Sequence, residues 1–238
     1  MSYREECMMV NSLSIVVPVF NEEKTISRVV SLADTVSKRL TLNYEIIVID
    51  DGSTDDTPII LNDLKKIFTK LRVFIHKKNK GVGEALFLGY TNAKNNFIFF
   101  NSADEQILMN ELEKLIPFSK EYDIVIGNRR KRQDKLQRKF LASLYHYILF
   151  VCFGLDPSWD VDSVKLYNRK VFDSIKLESH SAFIETEILL KSINNGFKIT
   201  SIDIEHHPRL FGRNTGAKWY IISKQLRDLV KFKLKMLF

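Results

Sequence analysis

Residues 97–106 read FIFFNSADEQ, in which four large apolar residues run directly into a polar corner with two acids. A short apolar run of this kind is typical of a central strand buried on both faces. The polar corner then lies at the carboxyl end of that strand, where open α/β sheets bind ligands. Asp104 and Gln106 place a carboxylate and an amide there, and both can reach one hard cation that carries phosphate oxygens. The same residue types also suit a capped turn before a helix.

The rest of the chain alternates strand and helix patterns around this stretch. Apolar and β-branched runs predict strands at 12–19, 44–49, 71–75, 97–100, 123–126, 163–167 and 198–205. Helices are predicted to end near Lys38 and Phe68, and others to cover 83–93, 110–120, 140–153, 183–195 and 219–238. This succession indicates an α/β fold with a Rossmann-like, mostly parallel sheet flanked by helices. The first strand leads into PVFNEE (18–23), which excludes the Gly-x-Gly-x-x-Gly of dinucleotide-binding folds.

Length and composition are those of one globular domain. The chain has 238 residues, 45% of them hydrophobic and 27% charged. Cys7 and Cys152 lie far apart without metal-type spacing, which favours a reducing compartment and no disulfide. The N-terminus lacks the apolar core of a signal peptide, and the longest apolar run, 147–155, is shorter than the roughly 20 residues that span a bilayer. We therefore expect a cytoplasmic protein without a transmembrane segment.

Basic residues outnumber acidic ones, and the excess is concentrated in two places. The formal net charge is +7; seven Lys and Arg residues fall within 129–139 and five within 224–235. Such clusters favour anionic partners, although a solvated surface explains most charge runs. Residues 140–153 are apolar nearly all round, which suits a buried helix or one lying in a membrane interface. Residues 216–238 have the pattern of an amphipathic, basic C-terminal helix that follows a main domain of residues 1–215.

Five segments resemble, in order and spacing, those of family 2 glycosyltransferases. They are SIVVPVFNEEKTI (14–26), EIIVIDDGSTDDT (45–57), NKGVGEALFLGY (79–90), FFNSADEQ (99–106) and DIVIGNRR (123–130). The similarity covers 12–215 and is greatest to the branch with dolichol-phosphate mannose synthase and related polyprenyl-phosphate glycosyltransferases. It implies a glycosyltransferase A fold, a GDP- or UDP-linked sugar donor and inverting transfer assisted by Mg²⁺ or Mn²⁺. The implied acceptor is a polyprenyl phosphate, either dolichyl or undecaprenyl phosphate.

The resemblance also assigns roles to residues. The positions that match the family's donor site are Pro18, Phe20, Glu22, Ile49, Asp51, Lys80, Ala103, Asp104, Gln106, Arg129 and Arg209. Asp104 and Gln106 match the metal-binding stretch, where the cation would neutralise charge on the leaving nucleoside diphosphate. Asp104, Arg129 and Arg138 are the expected catalytic residues, and the two arginines would hold the acceptor phosphate. That phosphate is largely ionised at neutral pH, since its second pKa is near 6, and can attack without a general base.

The chain departs from the family pattern at three places. Ser102 stands where relatives usually carry the first acid of an Asp-x-Asp motif, and a hydroxyl is a weaker ligand for a hard cation. Residues 160–165 lack a glycine and look one residue short. Residues 212–215 lack the lysine often found in relatives, unless Lys218 serves. Of the adjacent acids Asp50 and Asp51, one is expected only to form a turn.

Two alternative functions stay open. The first is transfer to a sugar hydroxyl in cell-surface polysaccharide, for which Asp160, Asp162 and Glu187 are candidate carboxylates, although Glu187 also suits a structural role. The second is a degenerate, non-catalytic member that binds a nucleotide sugar or a partner subunit, which Ser102 favours. Nucleic-acid binding is disfavoured because the basic residues flank an apolar helix without an aromatic platform. The preferred hypothesis is lipid-phosphate transfer at the cytoplasmic face of a membrane, by direct docking or through a membrane-embedded partner subunit.

Overall fold

The computed structural model describes residues 10–129, 136–211 and 219–237. The strands are β1 (Leu13–Val19), β2 (Tyr44–Asp50), β3 (Leu71–Ile75), β4 (Phe97–Phe100), β5 (Ile124–Arg129), β6 (Lys165–Asn168) and β7 (Ile199–Ile204). The α-helices are α1 (Ile26–Leu40), α2 (Thr57–Ile67), α3 (Val82–Asn92), α4 (Leu112–Leu115), α5 (Leu136–Phe153), α6 (Arg169–Ser174), α7 (Ile184–Asn194) and α8 (Trp219–Leu237). Two 3-10 helices, Met109–Glu111 and Ile116–Lys120, flank α4.

All seven strands form one sheet in the order β3-β2-β1-β4-β6-β5-β7. β1 pairs in parallel with β2 and β4, β2 with β3, and β5 with β7. β6 runs antiparallel between β4 and β5. Every strand except β6 therefore ends at the same edge of the sheet, here called the carboxyl edge. The predicted mostly parallel sheet flanked by helices is confirmed, and the single reversed strand is a feature that the sequence pattern did not indicate.

Alternate residues of the central strands enter opposite layers of the core. Ile15 and Val17 of β1 pack with the residues of α1, whereas Val16 packs with those of α3. The layer beneath α3 is tight at Gly89, because a Cβ there would lie 2.4 Å from Cγ1 of Val16. Each fully buried aliphatic side chain contributes roughly 1.5–3 kcal/mol to folding. Burial on both faces thus fixes the sheet and holds the loops at its carboxyl edge.

Two stretches differ from the expected helices. The single helix predicted over 110–120 is broken into two 3-10 segments around the one-turn α4. Pro117 lies at the start of the second segment, and proline cannot donate the hydrogen bond that a continuous helix needs. The short helix α6 was not predicted; its start is marked by Asn168, whose side chain accepts a hydrogen bond from the Lys170 amide.

The C-terminal helix α8 packs on the main body of the protein. Leu229 is buried, and the ring of Phe232 lies 5.6 Å from that of Phe183 and 6.0 Å from that of Phe153. Within the part of the chain that the structure describes, no helix has the length and apolarity needed to cross a bilayer. Cys152 is a free cysteine in α5, and Cys7 lies outside the described residues.

Candidate active site

The loops that follow β1 and β2 are joined at the carboxyl edge by hydrogen bonds from backbone amides of each loop to side-chain oxygens of the other. The amide of Asn21 donates to Oγ of Ser53 at 2.9 Å, and the amide of Thr54 donates to Oδ1 of Asn21 at 2.7 Å. The amide of Glu22 donates to Oγ1 of Thr57 at 2.9 Å. Asn21 adopts a φ of 56°, a conformation that Asn tolerates better than most residues. These hydrogen bonds fix the backbone from which the Glu22 side chain extends.

Asp51 shapes the loop that follows β3. Its carboxylate accepts hydrogen bonds from the amides of Lys80 at 2.9 Å and Gly81 at 2.7 Å, and it lies 2.7 Å from Nδ1 of His76. Gly81 has a φ of 100°, which favours glycine. Asp51 and Lys80, both predicted from the family resemblance, are thus brought together. His76 was missed, and its position just after β3 is the signal that would have suggested it.

Asp50 forms the turn at the end of β2. Its Oδ1 accepts a hydrogen bond from the Ser53 amide at 2.9 Å, while its buried Oδ2 has no hydrogen-bond partner among the described residues. The following Gly52 has a φ of 72°, and a Cβ there would lie 2.5 Å from the carbonyl carbon of Lys78. The glycine therefore allows the loops after β2 and β3 to touch.

An open groove lies along these loops. The groove has a volume of about 480 Å³, with the aromatic ring of Phe20 on one wall and Lys77 and Lys78 among its lining residues. Its lining residues are Phe20, Asp50, Gly52, Ser53, Thr54, Pro58, Ile75, His76, Lys77, Lys78 and Asn79. An apolar wall beside amides, hydroxyls and cations suits a ring that carries phosphate groups. Pro18 and Ile49, which face each other in the β1–β2 register, lie in the strands beneath this region.

Asp104 is held by its own loop at the carboxyl end of β4. Its Oδ1 accepts hydrogen bonds from Oγ of Ser102 at 2.6 Å and from the amide of Gln106 at 3.2 Å. Ser102 therefore supports the acid instead of standing beside it as a ligand. Ala103 between them is buried. The next residue, Glu105, has a φ of 56° and forms an ion pair with Arg28 on α1.

Arg209 joins the acids of two loops. One guanidinium nitrogen forms an ion pair with Oε1 of Glu22, and the other lies 3.4 Å from Oδ2 of Asp104. Burial raises the pKa of Glu22 to about 7; Arg209 acts in the opposite direction, and the nearby Asp104 adds to the rise. Glu22, Asp104 and Arg209 come from three separate parts of the sequence, and the fold brings them together as a cluster.

A segment after β7 carries Arg209 across the site. This strap, residues 205–211, begins with the Glu205 amide donating to Glu111 and the His207 amide donating to the carbonyl of Gln106 at 2.8 Å. At its end, Nε of Arg209 donates to the carbonyl of Phe211 at 2.7 Å, and Nζ of Lys24 lies 5.7 Å from the Phe211 ring centre. The strap therefore touches both the β4 loop and the entry to α1.

The donor set fits a hard cation only in part. Asp104 offers one carboxylate oxygen, Oδ2, that already faces a positive group. No group of three or more His, Cys, Asp or Glu side chains suited to metal binding occurs in the described ranges. Because Mg²⁺ and Mn²⁺ take up to six ligands and accept phosphate oxygens, Asp104 fits a cation whose other ligands come mainly from a bound diphosphate.

Arg129 has a carboxylate partner that the sequence did not reveal. Its Nε and Nη2 donate to the two oxygens of Asp160 at 2.6 and 2.7 Å, and both side chains are less than a tenth exposed. The amide of Asp160 donates to Oδ1 of Asn128 at 2.9 Å, so the pair ties the loop before β6 to the end of β5. Arg138 lies in α5, but its side chain is outside the described residues, as are residues 130–135 and 212–218.

A buried ionic cluster supports the same loop from below. Nζ of Lys165, which has no solvent exposure, donates to the carbonyls of Val161 and Ser163 and to Oε2 of Glu185, each within 2.8 Å. The hydroxyls of Tyr90 and Tyr167 donate to Glu185 as well. Burial and then the Glu185 carboxylate raise the pKa of both tyrosines well above its ordinary value. These residues hold the loop and were not singled out from the sequence.

The other candidate carboxylates differ in their surroundings. Glu187 is buried and accepts hydrogen bonds from the amides of Glu178 and Ser179 and from Nζ of Lys191, which is a structural arrangement. Asp162 is exposed. Asp160 is engaged with Arg129. None of the three has the free, partly shielded carboxylate that a general base requires.

Exposed apolar side chains form stripes on α5 and α8. Leu144, Tyr147 and Val151 are exposed on α5, at helical spacing. Leu226, Val230 and Leu234 are exposed on α8 and alternate with the exposed Arg227 and Lys231. Together these six apolar residues are called the apolar stripes below. An amphipathic helix with basic residues beside an apolar stripe suits a membrane interface.

Comparison with known proteins yields one family and one fold. The sequence model of glycosyl transferase family 2 matches residues 14–177. Undecaprenyl-phosphate 4-deoxy-4-formamido-L-arabinose transferase from Proteus mirabilis (strain HI4320) is 28% identical over 85% of this chain and 62% of its own length. The protein of the same name from Aeromonas hydrophila is 28% identical over 92% of this chain and 66% of its own length. The chain thus spans less than two thirds of these curated relatives.

Solved structures show the same architecture. Glucosyl-3-phosphoglycerate synthase from Mycobacterium tuberculosis, in complex with Mn²⁺, uridine diphosphate and glucosyl-3-phosphoglycerate, superposes with a TM-score of 0.70 over 95% of this chain and 80% of that protein. The sequence identity is 19%. A second structure of that synthase, with Mg²⁺ and uridine diphosphate, gives a TM-score of 0.68 over 95% of this chain and 79% of that protein, at 17% identity. The shared fold is the glycosyltransferase A fold.

Proposed function

The chain belongs to glycosyl transferase family 2, and from this premise we propose that it transfers a sugar from a nucleotide-sugar donor to a polyprenyl phosphate at a membrane surface. The observation that carries the proposal is the meeting of Glu22, Asp104 and Arg209 at the carboxyl edge, beside a groove with an aromatic and basic lining. This edge is where open α/β sheets bind nucleotides.

The donor binds with its nucleoside at the loops after β1, β2 and β3. Phe20 provides the apolar wall, and Asp51 keeps Lys80 and Gly81 in place. The diphosphate then lies toward Asp104 and Arg209, where Arg209 can donate two hydrogen bonds to phosphate oxygens. Asp104, with Gln106 beside it, would hold Mg²⁺ or Mn²⁺ together with the diphosphate. When bound, the cation supplies Lewis-acid stabilisation of the leaving diphosphate.

The acceptor is inferred from the names of relatives and from the charge of the chain. The curated relatives are named as undecaprenyl-phosphate transferases. A phosphate monoester is largely ionised at neutral pH, so it attacks the sugar carbon directly and needs cations to hold it in line. Arg138 and the basic residues before it would supply these cations. Arg129 would act beside them while it keeps Asp160, and so the loop before β6, in position.

The protein would contact the membrane surface through the apolar stripes on α5 and α8. Exposed Leu, Val and Tyr side chains enter the interface, and the neighbouring Arg227 and Lys231 face anionic headgroups. A membrane-embedded partner subunit could cover the same stripes.

Transfer to a sugar hydroxyl is the less favoured alternative. It requires a carboxylate at the acceptor, and Asp160 and Glu187 are both engaged in structural bonds while Asp162 is exposed to water. A non-catalytic role was suggested by Ser102. The Ser102 hydroxyl instead donates a hydrogen bond to Asp104 and so holds the remaining acid of the motif in position, which argues against that role.

Incubation with radiolabelled GDP- and UDP-sugars, each with undecaprenyl or dolichyl phosphate, tests the proposal. Label that enters the lipid phase with wild-type protein, but not with Asp104→Ala, is the expected result. Label found only in a water-soluble glycan would support the hydroxyl acceptor. Nucleotide binding by calorimetry without transfer to any acceptor would support the non-catalytic role.

A further inference from the structure

The two oxygens of Asp104 have different partners. Oδ1 is occupied by the Ser102 hydroxyl and the Gln106 amide, whereas Oδ2 faces the Arg209 guanidinium at 3.4 Å. A divalent cation held by Asp104 needs the second oxygen, because the first already accepts two hydrogen bonds. Arg209 and the cation therefore compete for Oδ2 of Asp104.

The surroundings make that competition effective. The side chains of Glu22, Asp104 and Arg209 are 8%, 16% and 18% exposed. Charges that are mostly removed from water are weakly screened and interact more strongly than charges on an open surface. A fixed guanidinium next to Oδ2 repels an incoming Mn²⁺ or Mg²⁺ and neutralises the acid that would attract it.

We propose that Arg209 sets the affinity of the site for a divalent cation by standing in for that cation between Glu22 and Asp104 until a diphosphate arrives. The diphosphate gives the guanidinium a new anionic partner, so that Oδ2 of Asp104 becomes available to the metal. Metal and diphosphate then bind with positive coupling, and each raises the affinity of the other by the same factor. Only the identity of the diphosphate rests on the proposed function.

The strap provides the means for this exchange. Its start is fixed by the bonds of Glu205 and His207 to neighbouring loops. Its end is held less firmly: Leu210 is 70% exposed, and the Phe211 ring lies against Lys24, just before α1. Arg209 lies between the fixed and the exposed part. The guanidinium can therefore change partner while residues 205–207 keep their place.

Titration of the protein with Mn²⁺ alone, followed by the EPR signal of free Mn²⁺, tests the proposal. Arg209→Met should bind Mn²⁺ about three- to tenfold more tightly than wild type, because a neighbouring positive charge is gone. Arg28→Met is the matched control: it removes the same charge from Glu105, one residue beyond, without touching Asp104. Its Mn²⁺ affinity should stay within about twofold of wild type.

Three further arms make the outcome decisive. Asp104→Asn added to Arg209→Met should abolish the gain, and Arg209→Lys should bind Mn²⁺ as weakly as wild type. Added uridine diphosphate should raise Mn²⁺ affinity in wild type by a larger factor than in Arg209→Met. Equal Mn²⁺ affinity in wild type and Arg209→Met, no binding by either, or the same gain in Arg28→Met would overturn the proposal. The titration contains neither sugar nor lipid, so its result stands apart from any failure of transfer activity.

Discussion

At the scale of single residues, Ser102 occupies one oxygen of Asp104, the acid that we propose as the metal ligand. Its hydroxyl donates to Oδ1 of Asp104 at 2.6 Å, so an acid at position 102 would place two carboxylates side by side. We expect Ser102→Asp to lower stability without metal, since like charges at this distance repel, and to bind Mn²⁺ more tightly.

Thermal unfolding with chelator and with Mn²⁺ measures both effects of Ser102→Asp. The variant should be the less stable protein with chelator and gain more from Mn²⁺ than wild type does. Ser102→Ala is the control that removes the hydroxyl without adding charge, and it should lose only about 0.5–1.5 kcal/mol, the usual contribution of one hydrogen bond. A Ser102→Asp protein that gains nothing from Mn²⁺ would show that position 102 points away from the cation.

Glu22 gives the metal-free protein a defined dependence on pH. Its pKa rises from 4.5 to about 7 on folding, chiefly through burial. Between these two values the folded state therefore binds more protons than the unfolded state, and the free energy of unfolding falls as the pH rises. Above about pH 7 the folded protein has lost all of the stability that proton binding at Glu22 contributes. Glu22→Gln removes this titration.

Urea denaturation from pH 4.5 to 8 tests the assignment, with chelator present throughout. The difference in unfolding free energy, wild type minus Glu22→Gln, should fall by roughly 1–3 kcal/mol across this range. Other titrating groups cancel in the difference. A difference that does not change with pH would mean that Glu22 is ionised at all these values, with Arg209 outweighing burial.

At the scale of elements, the loop before β6 depends on one buried lysine. Lys165 compensates the buried charge of Glu185 and holds two loop carbonyls. Lys165→Met leaves that carboxylate without a cation, and we expect a loss of about 3–5 kcal/mol in urea denaturation. Adding Glu185→Gln should recover part of that loss, because the buried negative charge is gone and the amide can still hydrogen-bond both tyrosines, accepting from one hydroxyl through its oxygen and donating to the other through its NH2 group. A double variant no more stable than Lys165→Met alone would contradict this account.

The elements themselves were largely predictable, for a physical reason. Strands such as Leu13–Val19 and Phe97–Phe100 are buried on both faces, so their sequences are almost entirely apolar and stand out. The antiparallel placement of β6 was not predictable, because its apolar pattern is the same in either direction. The break around α4 depended on one proline in an otherwise helical pattern.

The site was predictable in its residue types and not in its pairings. Asp104 could be identified because it follows a buried strand, and Arg209 only because of the family resemblance. Three contacts join segments that are distant in the sequence: Arg209 with Asp104, Arg129 with Asp160, and His76 with Asp51. Single-sequence patterns carry no record of which distant charges meet, so these pairs required the structure.

At the scale of the whole molecule, the apolar stripes should bring the protein to anionic membranes. Replacing Leu226, Val230 and Leu234 by serine should reduce co-sedimentation with anionic liposomes, since their apolar surface no longer enters the interface. High salt should also reduce it, because lysines near an anionic surface contribute about 1 kcal/mol each and salt screens them.

Two comparisons control the liposome experiment. Serine at Leu42 and Ile67, which are exposed near the opposite edge of the sheet, removes apolar surface elsewhere and should leave sedimentation unchanged. Neutral liposomes should bind less protein than anionic ones. Binding of intact protein to neither kind of liposome would defeat direct docking and leave a partner subunit as the way to the membrane.

The reversed strand β6 also governs the order in which the chain can fold. β4 pairs with β6 through residues 97–100 and 165–168, so one side of β4 stays open until the ribosome has delivered the later segment. Until then the nascent chain presents an apolar strand with unpaired backbone groups, the kind of edge to which other chains add. A fragment that ends before β6 would therefore be prone to aggregation even though β1 to β4 are already paired in parallel.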